Sequence, residues 1–320
     1  MSGVTVAGPI NETIVLSIGS AENAVIAQQL ADVVSLALQA ASLKPVDYNG
    51  FRLPPPSTEA SEEIVIKTSG AIILPAQAKA VIDNAARSVV LGGGGANETV
   101  LAGAGNLTFF TRSGSGELVT GDGNNRIVQT GSGGWSIHTG SDNDTVIASS
   151  GSTVATGTRN NSILITGGEN LVQSTGKDTI SVVSGNTTID AGANGYSVVA
   201  GQARGHLTFI GGAGSATVTG GAGSVSILAQ AGGDFTGGTA GRNFIYGGQG
   251  STTIFGSGDG DQLYASGSGE THIYAASGNE TLNGSLGSGN SQFYAGSGND
   301  VIVGGLGNDT IFGGTGHAVA

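Results

Sequence analysis

Acidic residues recur at regular spacing near the C-terminal end of the sequence. Between residues 243 and 320 there are six Asp or Glu residues and no Lys or Arg. Five of these acids lie in or directly after a glycine-containing turn, namely Asp259, Asp261, Glu280, Asp300 and Asp309. Carboxylate oxygens are preferred ligands of hard divalent cations, whereas neighbouring carboxylates without a cation repel one another. The pattern therefore indicates cation binding, provided that the fold brings these side chains together.

The acids belong to a repeat that dominates the sequence after about residue 91. Its clearest copies are 295–303 and 304–312, in which a glycine turn is followed by an acid and by apolar residues. Apolar residues return at intervals of about nine from Val100 to Ile311, as in nonapeptide solenoid repeats. Glycine turns at this interval exclude long helices, and one short strand cannot bury its own apolar residue, so the units must stack. The sequence predicts an all-β solenoid.

Two units make one coil with a strand on each side, so successive units alternate between the two sides. The chain from 91 to 320 then forms about twelve coils, and Asp261, Glu280 and Asp300 occupy one side of three consecutive coils. Stacked carboxylates need a cation between them, and Ca²⁺ accepts several oxygens in a flexible geometry, whereas Mg²⁺ demands a tight octahedron. The alternative is a set of solvated carboxylates without metal. Asp309 lies on the opposite side, where Ser291 gives it no acidic neighbour.

The repeat resembles the hemolysin-type, repeats-in-toxin (RTX) nonapeptide G-G-x-G-x-D-x-U-x. The resemblance covers about residues 91–316; it is close at 295–316, fair at 256–282 and weak at about 185–253. It implies a right-handed parallel β-roll that binds calcium through the repeat's Asp and through turn carbonyls. In this sequence those carbonyls belong to Gly296, Gly298, Gly305 and Gly307. The resemblance also implies secretion by a type I-like route, with folding outside the cell.

Several units depart from the family at the calcium-binding position. Glu98, Glu117 and Glu280 stand where the family has Asp, which makes them weaker candidates. Other polar residues at this position share the opposite side, namely Asn125, Asp144, Asn161 and Asp178. Such an Asn/Asp ladder can hydrogen-bond from coil to coil without metal. Units between about 185 and 253 have no acid there, so packing and backbone hydrogen bonds are expected to hold the middle coils.

Aromatic residues form a second pattern, one position after the inward apolar residue. Phe255, Tyr274, Tyr294 and Phe312 lie one coil apart on one side of the predicted solenoid. With their side chains outward, they form an exposed strip that could stack on sugar rings or contact another chain. The alternative is a cluster in which the four rings shield one another.

Residues 1–90 have ordinary glycine content and are expected to form a small α+β domain that caps the solenoid of residues 91–320 or helps it to assemble. The predicted elements are a strand at 13–18, a helix at about 21–42 with Ser20 as its N-cap, a loop holding Pro54 to Pro56, a hairpin of 64–67 and 71–74, and a short helix from Pro75 to about Arg87.

Composition excludes several classes of function. The formal charge of −12 argues against nucleic acid and anionic membrane surfaces as partners, and the absence of Cys excludes disulfides and thiol-based sites. No segment is long and apolar enough to span a bilayer, and the start lacks the features of a signal peptide. The four His residues lie in no known catalytic motif, so no enzyme is expected. A polysaccharide lyase or epimerase on a β-helix is the remaining enzymatic alternative.

The sequence stops shortly after its last glycine turn, which predicts an open strand edge on the last coil. Our hypothesis is that this edge stacks head to tail on another copy, which completes the site of Asp309. Such contacts generate filaments or sheets. We therefore expect an extracellular or cell-surface structural protein that self-assembles into a filament, surface layer or biofilm matrix. The alternative is a calcium-dependent adhesin or matrix-binding module that binds a polysaccharide.

Overall fold

The computed structural model describes residues 2–9, 12–48, 61–92, 95, 97–149, 151–192, 196–199 and 204–320. The predicted proline loop at 54–56 lies outside these residues. The chain forms two compact units, residues 1–163 and 164–320. The fold is an all-β parallel solenoid of about 14 turns with one helix near its start.

The first unit begins with an antiparallel hairpin and a helix. Strands β1 (Ser2–Ala7) and β2 (Thr13–Ile18) pair with each other, and helix α1 (Ala21–Gln39) follows. The Ser20 hydroxyl caps α1 by accepting a hydrogen bond from the Asn23 amide at 3.0 Å. The predicted strand and helix are therefore confirmed. No helix among the described residues is long and apolar enough to cross a membrane.

Parallel strands of the solenoid fill the rest of the first unit in two sheets. The first sheet contains β3 (Leu43–Tyr48), β4 (Ser61–Ile66), β6 (Ala78–Asp83), β8 (Glu98–Ala102), β10 (Gly116–Thr120), β12 (Trp135–His138) and β14 (Thr153–Thr156). The second contains β5 (Gly70–Ile73), β7 (Arg87–Leu91), β9 (Asn106–Phe110), β11 (Arg126–Val128) and β13 (Thr145–Ala148), with β15 (Ser162–Ile165) at the boundary of the unit.

Two elements predicted before residue 91 are wrong. Strands β4 and β5 do not form a hairpin; β4 pairs in parallel with β3 and β6, and β5 with β7. The predicted helix after Pro75 is strand β6 instead. Strands β4 and β6 are buried on both faces, so their apolar residues run continuously and hide the alternation that marks a strand, whereas Ile73 of β5 is 65% exposed. The solenoid therefore begins before residue 91. The domain boundary near residue 91 stays a prediction.

Helix α1 and the β1–β2 hairpin cover part of the outer face of the first sheet. Leu16 and Ala31 pack in one apolar cluster with Ile82, Leu101 and Val119, whose side chains point out of the solenoid. The Asn23 side-chain amide donates to the Thr139 carbonyl at 2.8 Å in this interface. The N-terminal segment therefore packs against the side of the coils of its own unit.

The second unit has the same two-sheet architecture of parallel strands. One sheet contains β16 (Glu169–Ser174), β18 (Asn186–Ala191), β20 (His206–Ile210), β22 (Ser224–Leu228), β24 (Phe244–Tyr246), β26 (Gln262–Gly267), β29 (Thr281–Gly287), β31 (Ser297–Val303) and β33 (His317–Val319). The other contains β17 (Thr179–Val182), β19 (Tyr196–Val199), β21 (Ala216–Thr219), β23 (Gly233–Thr236), β25 (Thr252–Phe255), β27 (Thr271–Tyr274), β30 (Ser291–Tyr294) and β32 (Thr310–Phe312). The two-residue strand β28 (Ser277–Gly278) pairs with β31.

The predicted inward apolar positions form the core of both units. Nearly all of them are buried, from Val100 to Ile302. One register differs, because Leu118, and not Val119, pairs with Val100 on the neighbouring strand. The last position, Ile311, is 41% exposed, since no further coil covers it in the described chain.

Candidate calcium site

Three carboxylates predicted to stack lie in one column of the second unit. Asp261 and Glu280 directly precede β26 and β29, and Asp300 lies in β31. The register of these strands places the three residues at equivalent positions of consecutive coils, and all three are buried. Their backbones are linked as well, because the amide of Thr281 donates to the Asp261 carbonyl and that of Val301 donates to the Glu280 carbonyl. The predicted column is present.

Asp261 is held by hydrogen bonds from two turns. Its Oδ1 accepts bonds from the backbone amide and the side-chain amide of Asn243, both at 2.9 Å. Its Oδ2 accepts bonds from the amides of Ser257 at 3.0 Å and Gly258 at 3.2 Å. This carboxylate therefore closes its own turn and fixes the preceding coil without any metal.

Glu280 differs from its neighbours in the column. Its amide donates to Asp300 Oδ1 at 3.0 Å, yet neither of its own carboxylate oxygens, both buried, meets a donor among the described residues. Burial raises the pKa of Glu280 well above its usual value, a hydrogen bond that the protonated Glu280 makes with Asp300 raises it further, and so do the charges of Asp300, Asp261 and Asp259. A buried carboxylate with acids around it and no donor is the arrangement that a cation stabilises.

Asp259 and Gly278 complete the surroundings of Glu280. Asp259 Oδ1 accepts bonds from the backbone amide of Asn279 at 2.7 Å and from its side chain at 3.0 Å. Gly278 has a φ of 145°, and a Cβ there would lie 2.7 Å from Glu280 Oε1 and 3.0 Å from Asp259 Oδ1. A glycine is thus needed for both carboxylates to approach this turn.

Asp309 lies on the other sheet, as predicted. Its Oδ1 accepts a bond from the Ser291 amide at 3.0 Å, and its Oδ2 accepts one from the Gly305 amide at 2.5 Å. Ser291 is its neighbour in register, so no carboxylate stands beside it in the described part of the chain. Its role as a ligand stays a prediction.

Comparison with protein families identifies the repeat to which these turns belong. The family model of the RTX calcium-binding nonapeptide repeat (4 copies) matches residues 210–245, 237–269 and 285–319. The chain carries RTX repeats. Such repeats bind Ca²⁺. The match includes a region, 210–245, where the resemblance predicted from the motif was weak, and it omits residues 270–284, where Glu280 replaces the Asp of the motif. No curated protein and no solved structure matches the chain.

The acids of the RTX repeats fit calcium only together with backbone oxygens. Among the described residues, no three His, Cys, Asp or Glu side chains are grouped closely enough to hold a metal by themselves. Ca²⁺ takes six to eight oxygens and accepts backbone carbonyls readily. A calcium site at the orphaned oxygens of Glu280 would therefore need carbonyl ligands from the glycine turns, and these ligands stay a prediction.

The four turn glycines named from the RTX resemblance are required sterically. A Cβ at Gly296 would lie 1.7 Å from the Ala276 carbonyl oxygen. At Gly298 it would lie 1.5 Å from the Gly278 carbonyl oxygen, and at Gly305 and Gly307 the nearest oxygens of the previous coil are 2.5 and 2.2 Å away. These glycines allow turns to stack directly. Whether their carbonyls bind calcium stays a prediction.

Hydrogen bonds link Asn125, Asp144 and Asn161 of the predicted Asn/Asp ladder from coil to coil, while Asp178, in the second unit, accepts a hydrogen bond from the Ser174 hydroxyl. The amide of Asn125 donates to Asp144 Oδ1 at 2.8 Å, and that of Asp144 donates to Asn161 Oδ1 at 2.9 Å. Burial raises the pKa of Asp144 to about 7. The register places Gly116, and not Glu117, beside Glu98, so Glu117 points outward and does not belong to the position at which it was predicted.

The predicted aromatic strip is a stacked ladder. Ring centroids are 4.9 Å apart for Phe255 and Tyr274, 4.4 Å for Tyr274 and Tyr294, and 4.6 Å for Tyr294 and Phe312, with planes within 12° of parallel. Both faces of the Tyr274 and Tyr294 rings are therefore covered by neighbouring rings, and only the ring edges face solvent. Sugar stacking requires an open ring face. The geometry favours a role in holding the coils together.

A second aromatic cluster on the other sheet was missed. Tyr246 and Tyr264 stack at 4.3 Å with planes 6° apart, and Phe244 lies 4.9 Å from Tyr246. The signal was present in the sequence, since Tyr246 and Tyr264 each follow an inward apolar residue, as do the residues of the first ladder.

Proposed function

We propose that the protein is an extracellular structural protein whose RTX solenoid is stabilised by calcium in its C-terminal coils and self-assembles into a filament, surface layer or biofilm matrix. The observation that carries the calcium proposal is Glu280, with two buried oxygens and no donor. The site comprises Asp259, Asp261, Glu280 and Asp300, with turn carbonyls as further ligands. Bound Ca²⁺ supplies positive charge that offsets the repulsion and desolvation of these carboxylates.

Exposed apolar residues in the last coils support the self-assembly proposal. Ile311 is 41% exposed although its equivalents in earlier coils are buried, and Phe312 and Leu306 are 45% and 87% exposed. Strands β32 and β33 pair on one side only among the described residues. In this proposal the surface docks on β3 and β5 of a second copy, each of which, within the described part of the chain, also pairs on one side only. Such a head-to-tail contact propagates.

Export and the lack of catalysis are parts of the same proposal. RTX repeats are typical of secreted proteins, and weak calcium sites fill where the ion is abundant, outside the cell. We place the protein at the cell surface or in the extracellular matrix, exported by a type I-like route. No enzymatic role is proposed.

A carbohydrate-binding adhesin is the second candidate function. Exposed Phe255 and Phe312 at the two ends of the aromatic ladder favour it, because each has one ring face without a stacked partner in the ladder. In that case Phe255, Tyr274, Tyr294 and Phe312 would contact a polysaccharide or another chain.

Sedimentation velocity separates these functions. The full chain is compared in Ca²⁺ and in chelator, with Ile311→Lys as the assembly variant and Val15→Lys, at an exposed position of β2, as the matched control. The proposal predicts calcium-dependent polymers for the native chain and the control, and monomers for Ile311→Lys. Monomers in every sample, retained on a polysaccharide column, would instead support the adhesin.

A further inference from the structure

A groove runs along the outer face of the first sheet, within the first unit and beside helix α1. Its volume is about 490 Å³. Its floor is formed by the starts of β8, β10, β12 and β14, and Leu30 of α1 lines one side. Neither the calcium site nor the predicted assembly surface includes any of these residues.

One column of polar side chains lines the groove at regular intervals. Thr99, Glu117, Ser136 and Thr153 are aligned in register on four neighbouring strands, and all four point outward. Glu117 is exposed and the other three are half-buried. Neighbouring strands lie about 4.8 Å apart, so the groove offers a hydroxyl or carboxylate at each step of that length.

These side chains are held ready for hydrogen bonding. Ser136 Oγ lies 3.1 Å from His138 Nε2, two residues along the same strand, so these two side chains are within hydrogen-bonding distance of each other. Glu117 carries two acceptor oxygens that can bind adjacent hydroxyls of one ligand in a bidentate manner. Leu30 adds an apolar side for C–H groups. Alternating polar contacts with one apolar side suit a ligand that has hydroxyls along its edges.

The spacing and charge of the column restrict the ligand. An extended peptide repeats its side chains on one face every two residues, about 6.8 Å, which does not match steps of about 4.8 Å. An extended glycan repeats its rings at an interval close to that of the strands. Glu98 and Glu117 line the groove and no Lys or Arg does, so polyanions such as nucleic acids or uronic-acid polymers are disfavoured.

From this geometry we infer that the groove binds a neutral, extended oligosaccharide, with Glu117, Ser136 and Thr153 as hydrogen-bonding rungs. The site is independent of calcium-driven assembly, and it differs from the aromatic ladder of the second candidate function. It gives the solenoid a lateral surface on which a polysaccharide chain can lie parallel to the stacking direction of the coils in this unit.

Isothermal titration calorimetry on the full chain in Ca²⁺ tests the inference, with linear β-linked glucose hexaoses as ligands. Glu117→Gln combined with Ser136→Ala is expected to weaken binding by about tenfold or more, because hydrogen bonds to a charged acceptor are lost. Glu169→Gln, at an exposed position of β16 outside the groove, is the matched control and should bind as the native chain does.

Three results would overturn the inference. The first is no binding of a linear β-linked glucose hexaose at millimolar concentration. The second is a stronger response to a uronic-acid hexamer or to an extended peptide. The third is loss of binding in Tyr274→Ala while the groove variant still binds. Sedimentation of the groove variant in Ca²⁺ is measured in parallel and should match the native chain. Failure of assembly is thus distinguished from failure of glycan binding.

Discussion

The Glu280 amide donates a hydrogen bond to Asp300 Oδ1 at 3.0 Å, while the Glu280 carboxylate itself accepts none among the described residues. At equivalent positions of other coils, Asp261 accepts a hydrogen bond from the Asn243 amide of the preceding coil, and Asp144 accepts one from the Asn125 amide. Glu280 is one methylene longer than Asp, and its head group lies beside Gly278 and Asp259 instead. The hydrogen-bonded column is interrupted where carboxylates are most concentrated.

Removing the charge of Glu280 should change stability in opposite directions with and without calcium. In chelator, Glu280→Gln is expected to raise the midpoint of thermal unfolding, because a buried charge near three acids is removed. In Ca²⁺ the native chain gains about 2.7 kcal/mol at a hundredfold excess of ion over Kd, and the variant gains less. Circular dichroism melts measure both effects. Equal calcium-induced shifts in the variant and in the Glu169→Gln control would contradict the site.

A side chain at Gly278 should disturb the same site sterically. Gly278→Ala places a Cβ 2.7 Å from Glu280 Oε1 at a φ of 145°, so we expect a loss of about 1–3 kcal/mol in unfolding free energy and weaker calcium binding. Gly313→Ala is the control, because a Cβ there meets nothing within 4 Å. Urea titrations give the free energies. Similar values for the two variants would show that the close approach at Gly278 is unimportant.

Glu63 should make stability depend on pH. Both its carboxylate oxygens are buried without a partner among the described residues, and burial raises its pKa from 4.5 to about 7, with a smaller contribution from Asp47. The folded chain therefore binds the proton more tightly than the unfolded chain. The stabilisation from protonated Glu63 is therefore fully present below about pH 4.5, and it is lost as the pH rises through about 7. Glu63→Gln should reduce the fall in unfolding free energy between pH 4.5 and 8, measured in chelator by urea unfolding. An unchanged slope would exclude the effect.

The aromatic ladder should contribute to stability. Tyr274→Ala removes the stacking contacts with Phe255 and Tyr294, each worth about 0.5–1.5 kcal/mol beyond burial. We expect the unfolding midpoint of Tyr274→Ala to be lower than that of Thr253→Ala. Thr253 lies on the same outer face as the ladder, two residues before Phe255, and pairs with His272. Thermal melts in Ca²⁺ provide the comparison, and equal midpoints would indicate that the rings serve a partner instead.

The solenoid and most of its core could be predicted because the repeat has a strict period. Two features hid part of it. The strands before residue 91 lack regular glycine turns, and α1 and the β1–β2 hairpin bury the outer faces of β4 and β6, so both faces of these two strands read as apolar. For the same reason Leu118 and Val119 are both fully buried, and the sequence cannot tell which one points inward. That ambiguity placed Glu117 at an inward position although it lines an outer groove.

The acids of the candidate site could be predicted, but their differences could not. Asp261 and Glu280 occupy equivalent positions, and only the structure shows that one is fully hydrogen-bonded and the other has no donor. The difference depends on where the extra methylene of Glu places its carboxylate. The spacing of the repeat carries no information on this position.

Direct calcium titration of the full chain tests the central claim. Isothermal titration calorimetry is carried out on the native chain, Glu280→Gln and the Glu169→Gln control after removal of calcium. The account predicts that the native chain and the control bind Ca²⁺ alike, and that Glu280→Gln loses a site or binds it about tenfold more weakly or worse. Indistinguishable isotherms for all three proteins would contradict it.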